Sequence, residues 1–221
     1  MNGNRRTIAI LGGAGKEGSG LALRWGNAGH RVIIGSRDAA RAQAAADALN
    51  AELPAPAIEG APNRDAAAAA DIVVLTVPYA AQLDTALDVR VQLAGKILID
   101  VTAPLKPPRV ATVQLPEGGS AAVALQARLG TDVTVVAAFQ NISAHHLRDL
   151  HHIMECDVLV SADSDEAADA AIALAADAGM KGWHAGPLAN SAAAEALTSV
   201  LIALNRRYKV PGSGIRITGI H

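Results

Sequence analysis

A glycine-rich turn near the N-terminus constrains the fold of this chain more than any other feature. Gly13, Gly15 and Gly18 form a Gly-x-Gly-x-x-Gly pattern. The apolar run 7–11 before it predicts a buried strand, and the segment 16–28 after it predicts a helix. A strand, three spaced glycines and a helix are typical of a turn that cradles a pyrophosphate on a helix N-terminus. The sequence therefore predicts a dinucleotide site here, with a generic glycine turn as the alternative.

Each glycine of the turn meets a different physical demand. Gly13 is expected to permit the tight turn, Gly15 to let the backbone approach the phosphates, and Gly18 to let the helix pack on the strand. The free N–H groups at the start of the helix then face the ligand. The predicted cofactor-binding residues of the turn are Gly13, Ala14, Gly15, Lys16 and Glu17.

Strand and helix patterns alternate along the chain as far as about residue 139. The predicted strands are 7–11, 31–34, 72–77, 96–101 and 133–139. The predicted helices between them are 16–28, 38–49, 64–70, 80–93 and 120–129. The segment 53–63 contains three prolines and is predicted to be a loop, with at most a short extended piece at 57–59. This alternation predicts an α/β fold: a Rossmann-like, doubly wound parallel sheet.

The last third of the chain departs from that alternation. A polar, His-rich stretch at 141–154 precedes a predicted strand (157–161), a helix (165–178), a short strand (181–184) and a long Ala-rich helix (191–208). We predict a dinucleotide-binding Rossmann domain over residues 1–145. Residues 146–221 are predicted to form a smaller C-terminal α/β lobe that closes over the coenzyme cleft.

The end of the second predicted strand indicates which dinucleotide binds. An NAD site places an acidic residue about 20 residues past the glycines, where it accepts a hydrogen bond from the ribose 2′-hydroxyl. This chain has Ser36 and Arg37 there, with Arg41 one helical turn later. Guanidinium groups bind phosphate through charge-assisted hydrogen bonds, so these residues predict the 2′-phosphate of NADP. The alternative is that both arginines are solvated residues at the start of a helix.

Composition excludes several classes of protein. The 221 residues carry a formal net charge of −2, so no basic excess indicates nucleic acid. One cysteine, Cys156, allows neither a disulfide framework nor a Cys-based zinc site. No signal-like or membrane-spanning run follows the polar N-terminus. We expect a cytoplasmic protein that binds no membrane, and the small residues of the last helix favour a homodimer.

The His-rich stretch raises the question of a metal site. If it were helical, His145, Asp149 and His152 would lie on one face. Two imidazoles and a carboxylate can bind zinc or nickel, but no fourth ligand is evident. We therefore interpret the stretch as a solvated segment between lobes and predict no metal.

The chain resembles a known family, the NADPH-dependent reductases of coenzyme F420 (8-hydroxy-5-deazaflavin:NADP oxidoreductases). The stretches that carry the resemblance are IAILGGAGKEGSGLALR (8–24), GHRVIIGSR (29–37), IVVLTVP (72–78), FQNISA (139–144), CDVLV (156–160), AGPLANS (185–191) and GIRITGI (214–220). They extend over nearly the whole chain. The resemblance implies hydride transfer between NADP(H) and coenzyme F420, which is a co-substrate.

The resemblance also implies roles for individual residues. It places Ser36, Arg37 and Arg41 on the 2′-phosphate and Ile142 near the deazaflavin ring. Gln140 stands where relatives often have His, which puts the affinity or orientation of the ring in question. Because parallel sheets bind ligands at the carboxyl ends of their strands, the loops after two further strands complete the predicted site: Thr76, Val77, Pro78, Ala103 and Pro104.

Hydride transfer between two stacked rings requires positioning and exclusion of water more than acid–base groups. The sequence has no obvious proton relay, and we predict no catalytic side chain. Two alternatives stay open at this point. One is another NADP-dependent reductase, of the pyrroline-carboxylate or ferric-reductase kind. The other is a non-catalytic NADP-binding redox sensor.

Overall fold

The computed structural model describes residues 5–220, and one sheet with helices on both faces organises them. The strands are β1 (Thr7–Leu11), β2 (Arg31–Ser36), β3 (Ile58–Pro62), β4 (Ile72–Leu75), β5 (Ile97–Asp100), β6 (Thr134–Ala137), β7 (Asp157–Ala162) and β8 (Lys181–His184). The helices are α1 (Lys16–Asn27), α2 (Ala39–Asn50), α3 (Asn63–Ala69), α4 (Tyr79–Asp88), α5 (Arg90–Leu93), α6 (Ala121–Leu129), α7 (Ala144–Leu147), α8 (Asp165–Asp177) and α9 (Ser191–Tyr208).

The strand order confirms the predicted Rossmann-like fold. The sheet runs β3-β2-β1-β4-β5-β6-β7-β8, and the six strands from β3 to β6 are parallel. The chain moves outwards from β1 to β3 and then returns to the other side of β1 as β4. Such a sheet binds its ligand at the point where the order reverses, outside the carboxyl ends of β1 and β4.

Helices bury both faces of the sheet, which accounts for the continuous apolar character of the strands. In β1, Ile8 and Ile10 pack on one face while Ala9 and Leu11 pack on the other, and all four are fully buried. On the first face, the ring of Trp25 from α1 meets Phe139 edge-on at 5.8 Å. The rigid sheet then holds the loops at its carboxyl edge in fixed positions.

Two sequence predictions about this part of the chain were wrong. Residues 58–62 form β3, which pairs with β2 in parallel, although the prolines predicted a loop with only a short extended piece at 57–59. Proline is tolerated there because β3 is an edge strand and needs no ladder hydrogen bonds on its outer side. The single helix predicted over 80–93 is two helices, which meet at Val89 with φ −108° and ψ 12°.

The C-terminal third extends the same sheet. β7 pairs antiparallel with β6, and β8 pairs parallel with β7. The division at residue 145 stays a prediction, since the strands on its two sides belong to one sheet. The buried guanidinium of Arg24 connects the regions by donating to the backbone carbonyls of Leu147 (2.9 Å), Asp149 (2.7 Å) and Ala178 (3.0 Å).

Helix α9 is fixed to the domain by a buried carboxylate. Glu195 is 1% exposed and accepts hydrogen bonds from the N–H groups of Ala121 (2.7 Å) and Ala122 (3.1 Å) and from the hydroxyl of Ser120 (2.9 Å). It thus satisfies free N–H groups at the start of α6, where the helix dipole favours negative charge. Residues 188–208 are long and apolar enough to span a membrane by length and composition alone, but this contact places α9 against the fold.

Candidate functional site

The glycine turn closes by backbone hydrogen bonds at the carboxyl end of β1. The N–H of Gly13 donates to the carbonyl of Ile10 (3.1 Å), and that of Gly15 to the carbonyl of Gly12 (2.9 Å). The positive φ of the turn, +83°, belongs to Gly12, which our prediction left out. Gly13, to which we assigned the tight turn, is required for space instead, since a Cβ there would stand 2.9 Å from the Ile10 carbonyl oxygen.

The other two glycines differ in what surrounds them. A Cβ on Gly15 would meet one heavy atom within 4 Å, the Gly12 carbonyl oxygen at 3.2 Å. A Cβ on Gly18 would stand 2.5 Å from the Thr76 hydroxyl oxygen and 2.7 Å from the Gly13 Cα. The protein interior therefore requires glycine at position 18, whereas position 15 is exposed and faces open space where a ligand can approach.

A cleft of about 500 Å³ opens beside this turn at the point where the strand order reverses. It lies between the turn, the end of β2, the start of α2 and one side of α4. Its size is in the range of small-molecule sites. The predicted site residues that line it are Ala14, Gly15, Ser36, Arg37, Arg41, Thr76, Val77 and Pro78.

Two exposed arginines lie at one end of the cleft. Arg37 follows β2 and Arg41 lies in the first turn of α2; no side-chain hydrogen bond or ion pair engages either one within residues 5–220. The nearby acid, Asp38, is occupied as the N-cap of α2, where it accepts from the N–H groups of Ala40 (3.0 Å) and Arg41 (3.2 Å). Its carboxylate is thus engaged by the backbone, and the two guanidinium groups face solvent.

The cleft excludes some predicted residues and includes others that sequence reasoning missed. Gly13 is buried beneath the turn, and Lys16, Ala103 and Pro104 do not line the cleft. Asn63 lines the cleft, and its side-chain oxygen is buried with no hydrogen-bond partner in the described part of the chain. The sequence signal for Asn63 is its position directly after a strand. Because that strand was predicted to be a loop, Asn63 was not recognised as a site residue. The other missed lining residues are Gly12, Gly35, Ala80, Ala81, Asp84, Thr85 and Asp88.

A second, smaller cavity of about 220 Å³ lies between the start of α1, the segment after β6 and α9. Glu17 and Ile142 line it, so two predicted site residues meet here, together with Gln140 and Asn141. Phe139 has φ +71°, a strained value for a bulky residue, and this turn begins the segment that forms the cavity wall. Burial raises the pKa of Glu17 to about 8. The remaining lining residues are Ser143, Ala144, Thr198, Leu201, Ile202, Asn205 and Ser213.

The His-rich stretch is organised by hydrogen bonds and ring stacking. Only residues 144–147 are helical, so the helical spacing that would align His145, Asp149 and His152 is not realised. The rings of His146 and His152 stack with centroids 4.2 Å apart. Over residues 5–220, no group of three or more His, Cys, Asp or Glu side chains is placed to hold a metal ion.

The sheet order, the glycine turn and the cleft at the strand-order reversal define a class: the Rossmann-type dinucleotide-binding proteins. Comparison with known families narrows this class. Residues 7–104 match the family model described as NADP oxidoreductase, coenzyme F420-dependent. The chain belongs to the family of F420-dependent NADP oxidoreductases, since relatives of that name align with nearly its whole length.

Individual relatives support this membership. The chain is 42% identical to the F420-dependent NADP reductase of Methanothermobacter thermautotrophicus over 220 residues, which cover 96% of this chain and 95% of the relative. A crystal structure of a candidate F420-dependent NADP reductase from Arthrobacter sp. FB24 superposes with a TM-score of 0.79 at 27% identity, covering 96% of this chain and 99% of that one. Pyrroline carboxylate reductase from Plasmodium falciparum, at 13% identity and a TM-score of 0.54, covers 81% of this chain and 58% of its own and shares the fold alone.

Proposed function

We propose that this protein transfers a hydride between NADP(H) and coenzyme F420. The observation that carries the proposal is the cleft, which combines an open glycine turn with two unengaged arginines at its far end. This arrangement fits a dinucleotide with a 2′-phosphate. Membership of the F420-dependent family supports the deazaflavin as the second substrate.

The cleft fits the adenosine half of NADP. Arg37 and Arg41 would bind the 2′-phosphate, and the hydroxyl of Ser36 lies beside them, although it also accepts from the N–H of Asp38 at 3.1 Å. Each charge-assisted hydrogen bond contributes roughly 1.5–3 kcal/mol. The unpartnered oxygen of Asn63 would accept a donor from the nucleotide. These contacts favour NADP over NAD.

The pyrophosphate would lie over Ala14 and Gly15, at the start of α1, where no side chain caps the first backbone N–H groups of the helix. Thr76, Val77 and Pro78 form the opposite wall at the end of β4. The Thr76 hydroxyl donates to the Leu11 carbonyl at 3.1 Å, which fixes that wall to β1. The protein then supplies orientation and a water-poor site for two rings, and the hydride chemistry belongs to the coenzymes.

The direct test mixes the purified protein with NADPH and oxidised F420 and follows absorbance in the deazaflavin band. We expect loss of the oxidised band with NADPH and a much slower loss with NADH. A redox sensor would bind NADPH and leave the band unchanged. A pyrroline-carboxylate-type reductase would oxidise NADPH with a cyclic imine and not with F420.

We further propose that the protein is a cytoplasmic homodimer that binds neither membrane nor nucleic acid. Val200 and Leu204 on α9 are 44% and 40% exposed, and Tyr208 one turn further on is 69% exposed. These side chains repeat every four residues and so form one apolar stripe, which a second copy would cover. The molar mass from light scattering tests this for Leu204→Glu and Leu204→Ala. Only the charged variant, Leu204→Glu, should be monomeric.

A further inference from the structure

Three residues that line the small cavity beside Glu17 each carry a buried, unpaired side-chain oxygen. Among residues 5–220, Oε1 of Glu17, Oε1 of Gln140 and Oδ1 of Asn141 are all buried without a hydrogen-bond partner, and all three residues line the cavity. Gln140 and Asn141 are themselves 5% and 2% exposed. A buried acceptor left unpaired costs roughly 1–3 kcal/mol, so the two amide oxygens of Gln140 and Asn141 indicate a ligand that donates hydrogen bonds.

Backbone carbonyl groups fix the orientation of the side-chain amides of Gln140 and Asn141. Nε2 of Gln140 donates to the carbonyl of Asp100 at 2.9 Å, and Nδ2 of Asn141 donates to the carbonyl of Asp157 at 2.9 Å. Their amide oxygens are therefore left as free acceptors. The cavity presents acceptors from Gln140 and Asn141, and a carboxyl group from Glu17.

The cavity lies on the side of the sheet that the fold reserves for the reacting half of the dinucleotide. A Rossmann sheet of this order binds one mononucleotide half on each side of the reversal point. Arg37 and Arg41, after β2, lie on the adenosine side. Gln140 follows β6 and lies on the opposite side, and Glu17 in the first turn of α1 lies next to the turn that separates the two halves.

Glu17 is a neutral acid in this environment. Desolvation by burial raises its pKa to about 8, so the carboxyl group holds its proton at neutral pH. Of the described residues that line the cavity, from α1, the loop after β6, α7, α9 and the tail, Glu17 alone can ionise. The charged residues nearest in sequence to the lining are Lys16, His145, His146, Arg206 and Arg207, and none of them is a source of its shift.

We propose that the Glu17 carboxyl group contacts the deazaflavin ring and exchanges the proton that must accompany each hydride. This proposal rests on the proposed function. As the hydride and its electron pair pass from the dihydronicotinamide carbon to the deazaflavin carbon, the Glu17 O–H bond breaks and an N–H bond forms on the reduced ring. NADPH is oxidised, the deazaflavin is reduced, and the Glu17 carboxylate regains a proton from solvent. In the reverse direction the carboxylate takes that proton back.

This inference departs from the sequence prediction that no side chain is catalytic. The hydride itself still moves from carbon to carbon, but the reduced ring carries one more proton than the oxidised ring. A general acid held at the ring nitrogen contributes typically 10²–10⁴-fold when its pKa lies near the working pH, and Glu17 meets that condition.

The first test detects the proton on the Glu17 carboxyl group without catalytic turnover. Infrared spectra of the wild type, recorded from about pH 6 to about pH 10, should show the C=O band of a protonated carboxyl that vanishes with a midpoint near the raised pKa of Glu17. Asp100 also has a pKa raised to about 7, so the Glu17 band is the component that is lost in Glu17→Gln and kept in Asp100→Asn and in Glu155→Gln, which replaces an exposed carboxyl elsewhere. A Glu17 that titrates in the ordinary carboxyl range would overturn the proposal.

The second test measures rates in both directions. For the wild type, reduction of F420 should fall as pH rises above about 8, and oxidation of reduced F420 should rise over the same range. Glu17→Gln should lose both titrations and roughly 10²-fold or more in rate at neutral pH, with all rates measured at saturating NADPH. Glu17→Asp, which keeps an acid, should recover part of the rate and a titration.

The outcomes separate this proposal from the one on which it rests. A wild type that does not reduce F420 contradicts the proposed function itself. A wild type that reduces F420 while Glu17→Gln, folded and binding NADPH, keeps its rate and pH profile shows that Glu17 is a structural acid only and overturns the proton-transfer role. If Glu17→Gln fails to fold, the infrared titration of the wild type and the rates of Glu17→Asp decide.

Discussion

Gly18 and Thr76 lie so close together that a Cβ on Gly18 would stand 2.5 Å from the Thr76 hydroxyl oxygen. This contact packs the start of α1 against the end of β4 and holds the glycine turn at the point where the strand order reverses. Gly15, three residues earlier, has only the Gly12 carbonyl oxygen near its missing side chain, at 3.2 Å. The two glycines therefore serve different purposes, packing in one case and ligand access in the other.

The first prediction uses this pair. Gly15→Val should leave the circular dichroism spectrum and unfolding midpoint close to those of the wild type and abolish NADPH binding, because the side chain occupies the space of the pyrophosphate. Gly18→Val should instead destabilise the fold, since overpacking a full interior typically costs about 1–3 kcal/mol or more. Calorimetric titration and thermal unfolding measure the two effects. Unchanged NADPH binding by folded Gly15→Val would mean that the loop is only a turn.

The second prediction concerns selection of NADP. Arg37→Ala and Arg41→Ala should each weaken NADPH binding by roughly 1.5–3 kcal/mol and leave NADH binding unchanged, because the lost bonds reach only the 2′-phosphate. Arg128→Ala, an exposed arginine on α6, is the matched control and should change neither affinity. Equal losses for NADPH and NADH in the Arg37 and Arg41 variants would contradict the assignment.

The third prediction tests how α9 is attached. Glu195→Ala removes the carboxylate that accepts from Ala121, Ala122 and Ser120 at the start of α6. Leaving those buried donors without an acceptor should lower the free energy of unfolding by roughly 3 kcal/mol. Denaturant unfolding measures the loss, and Glu155→Ala, at an exposed position, should stay within about 0.5 kcal/mol of the wild type. Equal stabilities would show that the contact is not important for the fold.

The fourth prediction concerns pH and stability. Burial raises the pKa of Asp100 to about 7, although hydrogen bonds from Thr102 and Gln82 oppose this shift. Between the ordinary carboxyl pKa and about 7 the folded protein holds a proton that the unfolded chain releases. Stability attributable to Asp100 therefore falls as pH rises through that range, by up to about 1.4 kcal/mol per pH unit. Above about pH 7 this contribution no longer changes.

Asp100→Asn should flatten that part of the stability profile, and exposed Asp84→Asn should not. Unfolding free energies at several pH values between about 4.5 and about 7.5 make the comparison. The slope that Glu17 contributes is common to all three proteins and cancels in the difference, whereas the charge of Glu195 helps to raise the pKa of Asp100, so part of the difference belongs to this pair. A profile for Asp100→Asn as steep as that of the wild type would refute the raised pKa.

The sequence predicted the parts of the fold that depend on local pattern. The predicted strand Thr7–Leu11 matches β1 at both ends. A short apolar run that ends in a glycine turn is typical of a buried strand in a parallel sheet. It failed at β3, where the prolines are compatible with an edge strand only because β2 supplies the partner. It also failed at Val89, where the helix breaks without a proline or glycine to mark the break.

The residues of the candidate site were likewise predictable only where local sequence determines their grouping. Ser36, Arg37 and Arg41 follow directly from the end of a strand and the start of a helix, so their grouping was predictable from sequence order. The approach of Glu17 to Gln140 and Asn141 was not predictable, because these residues are more than a hundred positions apart in the chain. Only the packing of α1 and α9 around the turn at Phe139 brings them to one cavity.

The measurement that tests the central claim most directly follows a deuterium label. NADPH carrying deuterium at the transferred position is incubated with the protein and oxidised F420 in ordinary water, and both products are analysed by mass spectrometry. Direct transfer from nicotinamide to deazaflavin predicts that the label appears on carbon in the reduced F420, in the wild type and in His145→Ala, His146→Ala and His184→Ala alike. Reduced F420 without the label, or deuterium released to water, would contradict the claim that this protein passes a hydride directly between NADPH and coenzyme F420.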